Sequence, residues 1–322
     1  MSAKIHILIA FVVGVAVGII IGVVIVKPDS QPSDGLRAAF NEEFVTRSDG
    51  YRGLSVHYGF RFQSEPLPIL MKDLDSKYQK LITGEVDVIE SFATDASIRK
   101  YDMAVLEDDK RFFPPYEAAP LVRAETLTKH PKIEGILNEL TGKIPNETMQ
   151  RLNYEVDIEG HNVHDVAREF LESKGLIPPD AKPGDGSAGS ITIGSKNFTE
   201  SKILSEIMAT LIEYSSDIKV FRKLSFGGTL MCFYALRVGE LDLYPEYTGT
   251  GLVHILRQEI IHDPDQTYET VQEEFKSAYG LVWLQRCGLN NTYTLHMRSE
   301  RAKELGIETI SNLATYVNRQ QR

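Results

Sequence analysis

Residues 84–92 (GEVDVIESF) and 239–247 (GELDLYPEY) repeat one pattern: Gly-Glu, an apolar residue, an Asp, and an aromatic five positions past that Asp. A repeat spaced this widely restricts the chain to a fold with two similar lobes, each offering a ring to one cleft. In each copy an apolar-periodic helix (78–83 and 233–238) stops at the Gly, and an alternating strand follows (86–89 and 241–243). In an open α/β sheet, residues just past the carboxyl end of a strand sit at the crevice where ligands bind. Phe92 and Tyr247 are therefore the first candidate site residues. Burial in a core is the competing use of the same rings, because aromatic side chains carry the largest apolar area.

A chain of 322 residues is long enough for two lobes of roughly 100 to 150 residues each. Its net charge of -10 excludes nucleic acid as a partner, because phosphate binding needs a basic face. His161 and His164 form an H-x-x-H pair in a polar segment, which reads as solvated rather than metal-ligating; no metal or cofactor is expected. Cys232 and Cys287 make no metal pattern and no disulfide framework; they either pair across the fold or are simply buried, and buried thiols are the favoured reading.

Residues 7–26 are uninterrupted apolar or Gly positions, about the 20 that a helix needs to span a bilayer. A single transmembrane helix is expected here. A cleavable signal peptide is the rival, but the run exceeds a typical apolar region of that kind and no small-x-small cleavage site follows. Lys4 and the terminal amine on the short side, against Lys27, Asp29 and Asp34 beyond the run, favour by a small margin an orientation with the remainder outside the cytoplasm. Gly14, Gly18 and Gly22 show the small-xxx-small spacing that permits close helix approach.

Composition divides the chain into an anchor and tether (1–35), a first folded segment (36–177), a Pro- and Gly-rich linker (178–190, PPDAKPGDGSAGS) and a second folded segment (191–322). Within the first segment, strand-like runs at 36–40, 86–89 and 103–106 alternate with a helix over 72–83. Helices near 131–140, 146–152 and 163–173 close it. The second restarts with a strand at 191–193, a helix, a strand at 219–224 and another helix. Such alternation is an α/β signature.

Residues 194–200 (GSKNFTE), 227–230 (GGTL) and 239–252 (GELDLYPEYTGTGL), with Tyr293 in NNTYTL and Ser311-Asn312-Leu313, resemble the N-terminal half of a known family. It is that of the binding proteins of osmoprotectant ABC importers, which take glycine betaine, choline and carnitine. Residues 47–50 (RSDG), 84–95, 106–120 (LEDDKRFFPPYEAAP) and 152–157 (LNYEVD) resemble its C-terminal half. The resemblance implies a two-lobed, periplasmic-binding-protein-like α/β fold of type II, with the ligand cleft between the lobes. The halves stand in reversed order. A circular permutation, with the usual termini joined through 178–190, explains this; a fragment of a tandem array is the other reading. Under permutation, residues 191 to about 287 plus 113–177 form one lobe, and about 288–322 plus 36–112 the other.

A quaternary ammonium donates no hydrogen bond, so a protein selects it with ring faces, each contact contributing about 0.5 to 2 kcal/mol. The resemblance places such a cage at Tyr247, Tyr293, Tyr116 and Phe92, the last where the family often carries Tyr. It assigns the ligand carboxylate to Lys196 and Arg47, with the hydroxyl of Thr250 as a further donor. Lys196 and Arg47 fall on opposite lobes, so a ligand that touches both favours closure of a hinge. The implied protein is not an enzyme. It is an extracytoplasmic, membrane-anchored receptor for a quaternary ammonium compatible solute, whose partners are a permease and its ATPase. A solute-sensing ectodomain on the same fold is the alternative.

Overall fold

Ten short strands build two five-stranded sheets in a computed structural model that describes residues 35–47, 49–70 and 75–321. In chain order they are β1 (Ala38–Asn41), β2 (Leu67–Ile69), β3 (Val88–Phe92), β4 (Met103–Leu106), β5 (Ala118–Arg123), β6 (Ser190–Lys196), β7 (Lys219–Gly227), β8 (Leu243–Tyr247), β9 (Leu281–Trp283) and β10 (Tyr293–Arg298). One sheet runs β2-β1-β3-β10-β4, the other β7-β6-β8-β5-β9. The two share a topology. In each, a first strand lies parallel to its two neighbours, and an antiparallel strand from a distant part of the chain then separates the third strand from the last. That inserted strand is β10 in one sheet and β5 in the other, so each half of the chain completes the sheet of the other half. The expected α/β, two-sheet architecture is the one observed.

The repeated motif now has a local explanation. Gly84 and Gly239 take φ of +79° and +82°, a left-handed conformation that glycine adopts without the steric cost of a Cβ. Just beyond, the Asp of each copy pairs reciprocally with the entry of the neighbouring strand. Asp87 donates its N–H to the Arg37 carbonyl (2.8 Å) and accepts the Arg37 N–H at Oδ2 (3.0 Å). Asp242 does the same with Thr192, at 2.8 and 2.7 Å. This pairing delays the strands, which begin at Val88 and Leu243 rather than at 86 and 241. Phe92 and Tyr247 are consequently the last residues of β3 and β8, not residues past their ends.

Helix Thr199–Ser215 is buried along most of its length, with Ile203, Leu204, Ile207, Met208 and Leu211 inaccessible to solvent. A helix apolar on most sides belongs between layers, and its side chains join one core with those of β6 and of helices Asn146–Asp157 and Val163–Ser173. A second core, rich in Phe and Tyr, fills the space between β1, β10 and helix Ile310–Gln320. Cys287 lies in the first core and Cys232 in a third; both are buried free thiols. Burial pushes their pKa values up to about 12 and about 11.

Hydrogen bonds strap the linker, 178–190, to the fold. Gly184 N–H reaches the Glu213 carbonyl (2.8 Å) and Ala188 N–H the Asp217 carbonyl (3.0 Å). At the far side, Gln63 donates to the Gln320 carbonyl (3.1 Å), and a Cβ added to Gly35 would lie 2.7 Å from Gln63 Oε1. Residues 35 and 320 thus meet on one side chain. The membrane helix expected over 7–26 lies outside the described residues; among the described residues no helix is long and apolar enough to cross a membrane.

Candidate functional site

Two chain crossings join the sheets. The segment leading into β5 and the one leading into β10 run antiparallel there, with a bridge between Glu117 and Asn290. Tyr116 N–H donates to Asn290 Oδ1 (2.7 Å) and Asn291 N–H to the Tyr116 carbonyl (3.0 Å). Because the crossings are held by backbone, the aromatic residues at their ends are placed accurately. Tyr293 opens β10 directly across from Phe92 in β3. Their rings lie 4.7 Å apart at 31°, and the Tyr116 ring stands edge-on to Tyr293 at 6.1 Å. The Arg47 guanidinium sits 5.7 Å over the Tyr293 ring.

Arg47 is also engaged by Asp49, which takes its Nε at 2.7 Å and its Nη2 as well. Asp49 in turn accepts the Tyr116 hydroxyl at 2.6 Å, a contact that ties the segment after β1 to the segment before β5. Burial is the largest influence and works to lower the Arg47 pKa, but the hydrogen bond to Asp49 and the charges of Tyr293, Tyr116 and Asp49 together outweigh it and the value is raised. Burial likewise works to raise Asp49; the hydrogen bond and charge of Arg47 prevail and hold the carboxyl below its usual range. The pair is therefore charged.

Tyr247 and Lys196 form a neighbouring group on the other lobe. Lys196, assigned to the ligand carboxylate by the resemblance, is 5 % exposed and hydrogen-bonded to Glu246, which is wholly buried. Its ammonium lies 5.1 Å from the Tyr247 ring centroid. The Tyr247 hydroxyl donates to Glu200 Oε1 (2.7 Å). Glu200 also accepts from Thr94 Oγ1, from Asn291 Nδ2 (2.9 Å) and from Asn153 Nδ2 (3.2 Å), so one carboxylate gathers both lobes and the crossing. Burial raises its pKa and these donors only partly offset the shift. Burial, with Glu200 close by, pushes the Tyr247 phenol well above its ordinary value, so it stays a donor.

Tyr116 and Tyr247 belong to one core cluster, with Tyr293 packed against it. Thr250 opens a π-helical turn, Thr250–Ile255, half-buried next to Gly249. A Cβ on Gly249 would come within 2.9 Å of the Tyr116 ring and 2.7 Å of the Pro115 carbonyl, so this turn rests on Tyr116. The structure thus brings Arg47, Phe92, Tyr116 and Tyr293 into direct contact. Lys196 and Tyr247 form a second group, connected to the first through Glu200, Asn291 and the shared core. No ring pairing joins Phe92 to Tyr247 among the described contacts.

Reading the sequence left out Asp49, Glu200 and Glu246, although all three stand inside the motifs already singled out: RSDG, GSKNFTE and GELDLYPEY. The signal was a basic residue and an acid within the same short motif, or in two motifs from one lobe. Asp49 and Glu246 neutralise the very cations assigned to the ligand, whereas Glu200 collects neutral donors. The acidic cluster at 107–109 is structural: Asp108 accepts the Phe112 and Phe113 N–H groups at 2.9 and 2.8 Å, and Asp109 caps Ser311 at 3.1 Å.

Two topologically equivalent α/β sheets, joined by paired crossings with aromatic and charged side chains between them, define a two-lobed periplasmic-binding-protein-like protein. The family model described as the substrate binding domain of the ABC-type glycine betaine transport system matches residues 27–173 and 189–322, and the chain belongs to this family. Its members are binding components of transporters, not enzymes. The carnitine transport binding protein OpuCC of Listeria monocytogenes is 38% identical over 138 residues, 42% of this chain and 44% of that one. The ergothioneine transport permease/ergothioneine binding protein EgtU of Helicobacter pylori is 38% identical over 134 residues, 42% of this chain and 24% of that one. The glycine-betaine-binding protein of Pseudomonas aeruginosa is 31% identical over 160 residues, half of each chain. The matched region spans half or less of the length of each of these relatives. A crystal structure of a glycine betaine/carnitine/choline ABC transporter is 37% identical, covering 47% of this chain and 54% of that one with a TM-score of 0.38.

Proposed function

We propose that the chain is the extracytoplasmic receptor of an ABC importer for glycine betaine or a related quaternary ammonium solute. The observation that carries this reading is the packing of Phe92, Tyr293 and Tyr116 around the crossings, with Tyr247 on the adjoining wall. Ring faces there suit a diffuse cation that cannot donate a hydrogen bond. Lys196 stands at the Tyr247 ring and Arg47 at the Tyr293 ring, and each takes up the ligand carboxylate by exchanging a bond to Glu246 or Asp49. Thr250 adds its hydroxyl. Because the two cations come from opposite lobes, a ligand joining them stabilises the closed arrangement by its differential affinity for it. The apolar run at 7–26 anchors the domain in the membrane, and the partners are a permease and its ATPase.

The sheets support a circularly permuted order, since each takes its inserted strand from the other half and residues 35 and 320 meet at Gln63. Calorimetric titration with glycine betaine, carnitine, choline, proline betaine and ergothioneine tests the receptor reading; no binding by any of them refutes it. Tyr247→Ala is expected to weaken betaine binding by about tenfold or more, from the loss of one desolvated cation–π contact. Lys196→Ala should weaken betaine more than choline, which lacks the carboxylate. Equal losses would remove Lys196 from the carboxylate site.

A further inference from the structure

Two phenols of the candidate site donate to buried carboxylates, Tyr116 to Asp49 at 2.6 Å and Tyr247 to Glu200 at 2.7 Å. The two couples differ in charge. Asp49 also holds the Arg47 guanidinium, so its couple is neutral overall. Glu200, buried at the start of helix Thr199–Ser215, meets Tyr247 and Asn291 (2.9 Å) at Oε1, and Thr94 and Asn153 (3.2 Å) at Oε2. All four partners are neutral. Of the surrounding cations, Lys196 is bonded to Glu246, and Lys100 lies over the Tyr101 ring at 5.0 Å. Lys196 with Glu246 and Arg47 with Asp49 each sum to zero, so Glu200 is the charge of this site left without an opposite among the described residues.

A buried carboxylate with neutral donors alone is costly to ionise, and burial raises the Glu200 pKa. A cation brought to the Tyr247 ring shifts that balance toward the ionised form. The phenol connects the two: a hydroxyl that donates to a carboxylate is polarised, and the ring face that meets the cation becomes more negative. The carboxylate charge also acts directly, because screening is weak in a buried site.

We propose that Glu200 is a positioning residue that sets the charge preference of the site: acting through the Tyr247 phenol, its carboxylate favours a solute with a permanently cationic nitrogen over the isostere with carbon in that place. This deepens the receptor reading and rests on it. The two solutes have the same shape and the same apolar area, so burial against the rings does not separate them. A negative charge beside the ring does.

Glycine betaine and tert-butylacetate, the anion of tert-butylacetic acid, are such a pair, and both can be titrated into the full chain by calorimetry. Glu200→Gln keeps the shape and removes the charge. It is expected to weaken betaine about tenfold, the order of one screened charge pair, and to strengthen tert-butylacetate about threefold, because a repulsion is lifted. A residue that only braced the fold would lower both affinities together. Tyr247→Phe keeps the ring and removes the link; it should weaken betaine about threefold and leave tert-butylacetate no weaker. This second variant keeps the test readable if Glu200→Gln does not fold. An unchanged ratio of the two affinities in Glu200→Gln, or in Tyr247→Phe where the first variant does not fold, would overturn the inference while betaine binding by the native chain leaves the receptor reading standing. A native chain that binds no betaine would remove the inference together with its premise.

Discussion

His296 shows how far one buried side chain governs the response to pH. It is inaccessible in β10, with Nε2 hydrogen-bonded to Thr294 Oγ1 and Nδ1 lacking a partner among the described residues. Burial lowers its pKa from 6.5 to about 4, against an opposing contribution from Asp95 and with a further lowering from Lys77. The unfolded chain therefore binds a proton between about pH 6.5 and pH 4 that the folded chain does not, and stability falls as pH drops through that window. The loss approaches about 3 kcal/mol at its lower end. Urea midpoints of the native chain should decline across this range, and those of His296→Asn should decline less steeply. Parallel declines would assign the effect to other groups. At the same scale, Lys196 and Arg47 show why isolated residue types mislead: each was legible as a cation in a motif, yet the acid that neutralises it was not.

Among the elements, the strands and helices near glycine stops were the most legible, because a left-handed residue and a change of apolar period are local signals. The helix over Val163–Ser173 lies where the sequence placed it. Strand starts at Val88 and Leu243 were not legible, since they depend on Asp87 and Asp242 pairing with distant strands. The π-helical turn Thr250–Ile255 also lay hidden, because its glycine fits against Tyr116 only after the crossings are formed. Gly249→Ala is expected to push the Tyr116 ring and the Pro115 carbonyl apart, costing about 1 to 3 kcal/mol by overpacking. Thermal unfolding measures that cost, and betaine titration should show weakened binding through the displaced ring. Unchanged stability and affinity would mean that the turn does not position the site.

Across the whole molecule, the two halves are interlocked, with β10 completing one sheet and β5 the other. A chain rearranged to start at residue 189, run to 320, continue through a short connection into residue 35 and end at 178 should keep the same contacts. Circular rearrangement is tolerated where ends meet at a surface. Its far-UV circular dichroism and its betaine affinity are expected to match those of the native order. A rearranged chain that fails to fold, or folds without the ring cluster, would refute the permuted reading.

The sequence by itself determined the α/β class, the reversed order of the family motifs and the identity of the rings, all of which rest on local period and short motifs. Only the tertiary structure decided what those rings and charges face. The Glu200 carboxylate collects Thr94, Asn153, Tyr247 and Asn291 from segments far apart in the chain, and Asp49 reaches Tyr116 in the same way. The physical reason is desolvation. A buried charge is tolerated only with partners, and which partners reach it depends on how the two sheets close on each other.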